Sequence, residues 1–139
     1  MSQRAFSKIY LHFTWHVKDD QSLLNPDAMK LFCSIVHEKS KNLPGILILE
    51  IGGTKNHVHL AIKAPPTLFI PDWVGEIKGA SSHVIKRLTN GWDFSWQEGY
   101  GVVSFKERDV GDVVNYIKNQ EQHHATQKLI RDLEKTDDS

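Results

Sequence analysis

Two short groups of residues in this chain have the types and spacing to do chemistry. The first is His57-Val58-His59. Successive side chains on a strand point to opposite faces, so the two imidazoles share a side while Val58 turns away. Two imidazoles so placed can grip one metal ion. The second is Tyr116-Ile117-Lys118-Asn119-Gln120. On a helix residues i and i+4 share a face, which sets the Tyr116 hydroxyl beside the Gln120 amide. Imidazole suits Mn, Zn and other transition ions, and an amide oxygen suits Mg or Mn. An ion held by three such ligands keeps positions open for a phosphate oxygen and offsets charge in the transition state. Tyrosine, with a free pKa of about 10, is a weak nucleophile until a metal or a base helps it. Attack on a phosphodiester would leave a covalent phosphotyrosine. That link conserves the bond energy, so rejoining strands would need no ATP.

Spacing alone leaves other readings open. Val58, Leu60 and Ile62 form one face of a strand, so His57, His59 and Ala61 share the other. The histidines could simply be polar groups on a solvated face. Tyr116 could be an amphipathic-helix residue with its hydroxyl at the surface. His123 or His124 lies at a near-helical step and could compete with Gln120 for a metal. A His-x-His-x-His pattern would suggest a histidine-based nucleotide hydrolase, and Ala61 breaks it.

The elements that must position these residues can be read along the chain. Residues 9–17 alternate, with Ile9, Leu11, Phe13, Trp15 and Val17 on one side and Tyr10, His12, Thr14 and His16 on the other, as in a half-buried strand. Asn25-Pro26 opens a helix over 26–42, and Pro44-Gly45 breaks the chain after it. Residues 46–51 and 57–63 read as two strands of a hairpin joined by a Gly-rich turn at 52–56. Residues 71–89 read as a helix closed by Asn90-Gly91. Residues 93–105 look extended. A capping-box pattern from Ser104 to Glu107 predicts a helix start near Ser104, with the helix running over about 109–123. The charged tail to Ser139 reads as a helical continuation that frays. This order predicts an α+β, ferredoxin-like β-α-β-β-α-β antiparallel sheet with helices on one face, plus a C-terminal helix carrying the tyrosine.

Length and composition bound the function. At 139 residues the chain is expected to form one catalytic domain over 1–139. Hydrophobic residues make up 40% and charged residues 24%, which excludes a disordered polymer. There is no apolar run of the ~18 residues that a membrane span needs. The N-terminus lacks a secretory signal, so a cytoplasmic protein is expected. A lone Cys33 permits no internal disulfide and reads as a small buried hydrophobe. Seventeen basic residues balance seventeen acidic ones, which argues against a protein that coats nucleic acid non-specifically.

Further segments join the two groups. They are Trp15-His16-Val17-Lys18, residues 53–62 (GTKNHVHLAI), residues 78–85 (KGASSHVI), Trp96-Gln97-Glu98-Gly99-Tyr100-Gly101 and residues 116–124 (YIKNQEQHH). Spread over nearly the whole chain, they resemble the HUH-type single-tyrosine transposases of small bacterial insertion sequences. That resemblance implies His57 and His59 as the metal-binding histidines, Gln120 as the third ligand and Tyr116 as the nucleophile. It implies a 5′-phosphotyrosine on single-stranded DNA, release of a 3′-hydroxyl, a divalent cofactor (Mg or Mn), recognition of hairpin ends and a homodimer. In several such enzymes the tyrosine helix serves the partner's histidines. Candidate DNA contacts are Lys8, Lys55, Lys86, Arg87, Lys106, Arg108 and Lys118, with Trp92, Trp96 and Tyr100 as candidates for stacking on bases. Asp19-Asp20 departs from the family, which commonly continues with basic or aromatic residues there. The rival functions are a non-catalytic or domesticated DNA-binding relative and the histidine-based nucleotide hydrolase.

Overall fold

The computed structural model describes residues 6–89, 93–120 and 130–137. The chain order is β1 (Ile9–His16), α1 (Pro26–Ser40), β2 (Leu47–Gly53), β3 (His57–Ala64), α2 (Ile70–Thr89), β4 (Gly101–Phe105), α3 (Val110–Lys118) and a short turn of helix, α4 (Arg131–Glu134). The four strands form one antiparallel sheet in the order β2-β3-β1-β4. This is the ferredoxin-like arrangement that the element order predicts. No described helix is long and apolar enough to cross a membrane.

One face of the sheet is covered by α1 and α2. The alternating residues of β1 and β3 supply Phe13, Trp15, Val58, Leu60 and Ile62, all fully buried. Phe32 from α1 meets Trp15 edge-on, with ring centroids 5.8 Å apart. Trp73 and Ile77 from α2 complete the layer. The N-terminus of α1 forms where Asn25-Pro26 predicts it. The Asn25 side-chain oxygen accepts from the Ala28 N–H at 2.8 Å, and Pro26 occupies a position whose N–H would have no helical partner.

The opposite face is also buried, which strand alternation does not predict. Helix α3 lies against it, with Val113 and Ile117 packed on Ala61 and flanked by Leu49 and Phe105. Helices therefore lie on both faces, α1 and α2 on one and the tyrosine-bearing α3 on the other. Gly52 of β2 makes the close approach possible, because a Cβ there would stand 2.7 Å from the Ile117 carbonyl oxygen.

Other local expectations shift. The extended segment 93–105 keeps only Gly101–Phe105 as strand, plus one bridge from Trp96 to Val17. Ser104 does not cap a helix, because it is paired with Leu11 in the sheet. Glu107 does not reach back to it either; its carboxylate takes the Lys8 ammonium and the Tyr10 hydroxyl. A 3-10 turn (Glu107–Asp109) intervenes before α3 begins. Helix α3 ends at Lys118 rather than near 123, and Asn119 turns the chain before Gln120. The predicted stop at Asn90-Gly91, Trp92, His123 and His124 lie outside the described residues.

Candidate active site

The site is built on the face of the sheet under α3. Antiparallel pairing sets His16 opposite His57 and Thr14 opposite His59. Both members of the His57/His59 pair therefore project from the centre of the sheet, and both are buried. Helix α3 brings Tyr116 over them, its ring perpendicular to that of His59 at a centroid distance of 5.9 Å. Gln120 follows after the Asn119 turn. Its amide N–H donates to the Tyr116 carbonyl at 3.1 Å, which turns its oxygen toward His57 Nε2, 3.3 Å away. One chain thus brings together all four residues singled out for catalysis and metal binding.

A fifth residue joins them. Glu134 of α4 places Oε1 3.3 Å from His59 Nε2 and 3.6 Å from His57 Nε2. Its other oxygen accepts a hydrogen bond from the Tyr116 hydroxyl. The Ile130 N–H donates to that same hydroxyl oxygen at 3.0 Å. Glu134 sits in a charged tail without periodicity, so nothing in the sequence points to it.

The ring orientations follow from their partners. His57 Nδ1 faces Asn56 Oδ1 at 2.8 Å and Thr54 Oγ1 at 2.9 Å. His59 Nδ1 faces His12 Nε2 at 2.8 Å, deep in the sheet. With Nδ1 of each ring as the donor, both Nε2 atoms carry lone pairs into the site. Such outer partners are what orient metal-binding imidazoles. The set His57 Nε2, His59 Nε2, Gln120 Oε1 and Glu134 Oε1 is then four lone-pair donors converging on one point. The ligand atoms of His57, His59 and Glu134 lie within 4.8 Å of one another. A divalent cation fits this set, since two imidazole nitrogens, an amide oxygen and a carboxylate oxygen are ordinary ligands for one.

The electrostatics match the burial. Burial pushes the Tyr116 hydroxyl up to about 12, and its hydrogen bond to Glu134 adds to that. Burial alone would raise Glu134 too. With no cation between them, a hydrogen bond and positive charge from protonated His59, the Tyr116 hydroxyl and the charge of protonated His57 outweigh it and hold the carboxyl at about 2. His12 is pushed down to about 3 by burial and by the neighbouring His59, so it is neutral near pH 7. At the edge of the site His16 stacks on His57, with ring centroids 4.9 Å apart and planes 17° off parallel. Its Nδ1 meets Asp20 at 2.7 Å. Asp19 and Asp20 hold left-handed backbone conformations (φ 56° and 53°) in the turn after β1. His12 and His16 share the polar side of β1 in the alternation pattern, but only the β1–β3 register shows which histidines they meet.

The sequence and the fold match known proteins. The family profile described as "Transposase IS200 like" matches residues 5–120, most of the chain. The chain belongs to the IS200-like transposase family. Its members are DNA strand-cleaving and strand-transferring enzymes. A transposase candidate from Deinococcus radiodurans R1 superposes on this family member with a TM-score of 0.63 at 23% identity, covering 84% of this chain and 93% of that one. The structure of a REP-associated tyrosine transposase bound to a REP hairpin superposes with a TM-score of 0.67 at 17% identity, covering 89% of this chain and 73% of that one. At these identities both show a shared fold. No curated protein matches the chain.

The remaining candidates of this transposase-family chain are dispersed. Lys55 lies in the turn just before His57, and Lys118 lies between Tyr116 and Gln120; both are exposed. Lys8, Lys106 and Arg108 are at the other end of β1, where Tyr10 pairs with Phe105, about 20 Å along the strand from His16. Lys8 is taken up by Glu107 at 2.9 Å. Lys86 and Arg87 sit in the last turn of α2. Trp96 is a core residue, packed edge-on to Trp15 and Phe32 with its indole N–H on Ser81. Tyr100 packs partly against the same core. Ala61 is fully buried against α3, so no third ligand arises at the position a histidine-based hydrolase would need.

Proposed function

We propose that this chain cleaves and rejoins single-stranded DNA through Tyr116, in a site whose divalent ion, Mg or Mn, is held by His57, His59 and Gln120. The observation that carries the reading is the convergence of the Tyr116 hydroxyl and both histidine Nε2 atoms on one small polar site. The bound ion would supply positive charge to a phosphate oxygen. His12 and the Thr54/Asn56 pair keep His59 and His57 with their Nε2 lone pairs inward. Tyr116 Oη attacks phosphorus, the P–O3′ bond breaks, and the 5′ end stays on the tyrosine. Glu134 orients the hydroxyl through its hydrogen bond, the phenolic proton passes to solvent as attack proceeds, and the released 3′ oxygen takes a proton from solvent. The reverse attack by a 3′-hydroxyl restores Tyr116 and joins a strand.

In this reading the substrate is a DNA hairpin at an element's end, as the relative bound to a REP hairpin suggests. Residues 1–139 work as one catalytic domain in the cytoplasm. Lys55 and Lys118 are the phosphate contacts nearest the site. Lys8, Lys86, Arg87, Lys106 and Arg108 would act on more distant DNA. A homodimer belongs to the proposal. Because one chain holds the full catalytic set, the second copy would hold the second DNA end.

Covalent capture tests the reading. The protein is incubated with single-stranded DNA from both flanks of its gene and Mn(II), then run on a denaturing gel. Wild type should give a slower, metal-dependent band, and Tyr116→Phe and His57→Ala should give none. A band that persists in Tyr116→Phe would remove Tyr116 as the nucleophile. Folded wild type without any band would favour a DNA-binding relative.

A further inference from the structure

We infer that Glu134 is a working member of this site, a bridging carboxylate that binds the divalent ion through Oε1 and positions the Tyr116 nucleophile through Oε2. The inference rests on the function proposed above and concerns a residue beyond the family-matched segment, which ends at residue 120.

Three observations carry it. The two oxygens of one carboxylate face different partners. Oε1 lies 3.3 and 3.6 Å from the two inward-facing imidazole nitrogens, and Oε2 receives the Tyr116 hydroxyl. That is the disposition of a carboxylate bridging a metal position and a phenol. Second, the segment delivering Glu134 is anchored. Leu133 is buried beside it, and the Ile130 N–H holds the Tyr116 oxygen from a second direction. The Lys135 carbonyl oxygen lies only 1.7 Å from where a Cβ on Gly101 would stand. Strand β4 can receive the segment there only because residue 101 has no side chain. Third, the charge needs a counter-charge. The Glu134 side chain is only 16% exposed, and a buried carboxylate is costly unless paired. His57 and His59 supply it when protonated; when they turn neutral Nε2 lone pairs inward, a divalent ion takes that place and satisfies carboxylate and imidazoles together.

The consequence is chemical selectivity. His57, His59 and Gln120 alone form a neutral set. Glu134 adds an anionic oxygen and makes it two nitrogens and two oxygens, which favours the harder ions Mn and Mg relative to Zn. It also restricts the rotation of the Tyr116 hydroxyl, which the Ile130 N–H holds from a second direction.

The test is Mn(II) and Zn(II) titration of the full chain, with free Mn(II) read by electron paramagnetic resonance. Wild type is set beside Glu134→Ala, Glu134→Gln and His57→Ala, with circular dichroism melts to confirm folding. Glu134→Ala should weaken Mn(II) at least about tenfold and weaken Zn(II) less. Glu134→Gln, which keeps an oxygen but loses the charge, should fall between. DNA capture by Glu134→Ala should stay below wild type at saturating Mn(II). Unchanged Mn(II) affinity in both Glu134 variants, while His57→Ala loses it, would overturn the inference and leave the function standing. Greater capture by Glu134→Ala than by wild type would also overturn it, showing a carboxylate that occludes the site. Wild-type Mn(II) binding by His57→Ala would remove the histidine metal site, and this inference with it.

Discussion

The two faces of the sheet are buried by opposite means. Under α1 and α2 the strands present Phe13, Trp15, Leu60 and Ile62, and the layer is held by apolar burial and aromatic packing. Under α3 the same strands present His12, Thr14, His57 and His59, equally shielded from water. There each polar group must find a partner: Thr14 on the Val58 carbonyl at 2.8 Å, His12 on His59, Glu134 on Tyr116. The apolar face tolerates approximate shape, because the hydrophobic effect has no direction. The polar face works only in one geometry. Stability should therefore reside mainly on the first face and chemistry on the second.

The sharpest break of this contrast is in the apolar layer. Phe13 is fully buried against Trp73. Phe13→Ala should cost about 3–5 kcal/mol in urea unfolding, with Mn(II) affinity of the folded fraction unchanged. A comparable loss of metal affinity would show that the two faces are not separable. A smaller effect is expected at the junction between them. Gly52→Ala would drive a Cβ into the Ile117 carbonyl. It should cost about 1–3 kcal/mol and, unlike Phe13→Ala, reduce covalent capture by lifting Tyr116 from the histidines. Unchanged capture would mean α3 can shift without moving its hydroxyl.

The smallest effect, read within one pH unit below 6.5, concerns pH. His12 titrates at 6.5 when free and at about 3 in the fold, chiefly through burial and then through His59. Between those values the unfolded chain binds the extra proton, so acidification destabilises the native state. The slope contributed is at most about 1.4 kcal/mol per pH unit. In chelator-treated protein, His12→Asn should flatten the loss of stability below pH 6.5. An unchanged acid limb would assign that loss to other groups.

Much of the frame is legible in local pattern. Alternation in residues 9–17 and 57–63, the Asn25-Pro26 helix start and the Gly-rich hairpin turn each report a local preference that the fold keeps. Ser104 fails for an instructive reason. A capping box is a local motif, and pairing with Leu11 on another strand overrides it. Helical spacing places Tyr116 and Gln120 side by side. They are indeed close, but through a turn at Asn119 rather than one unbroken helix.

What the sequence determines by itself is periodic or local: which residues face which side of a strand, where helices start, and that two histidines share one face. Those properties depend on neighbours within a few positions, through backbone geometry. Tertiary structure decides the rest. Only the β1–β3 register places His12 on His59, and only the packing of α3 at Gly52 sets Tyr116 above the pair. Glu134 reaches the site through a segment that has no periodic signal and docks by single contacts. Such contacts join residues far apart in the chain, and their energies depend on distance and burial rather than on order along it.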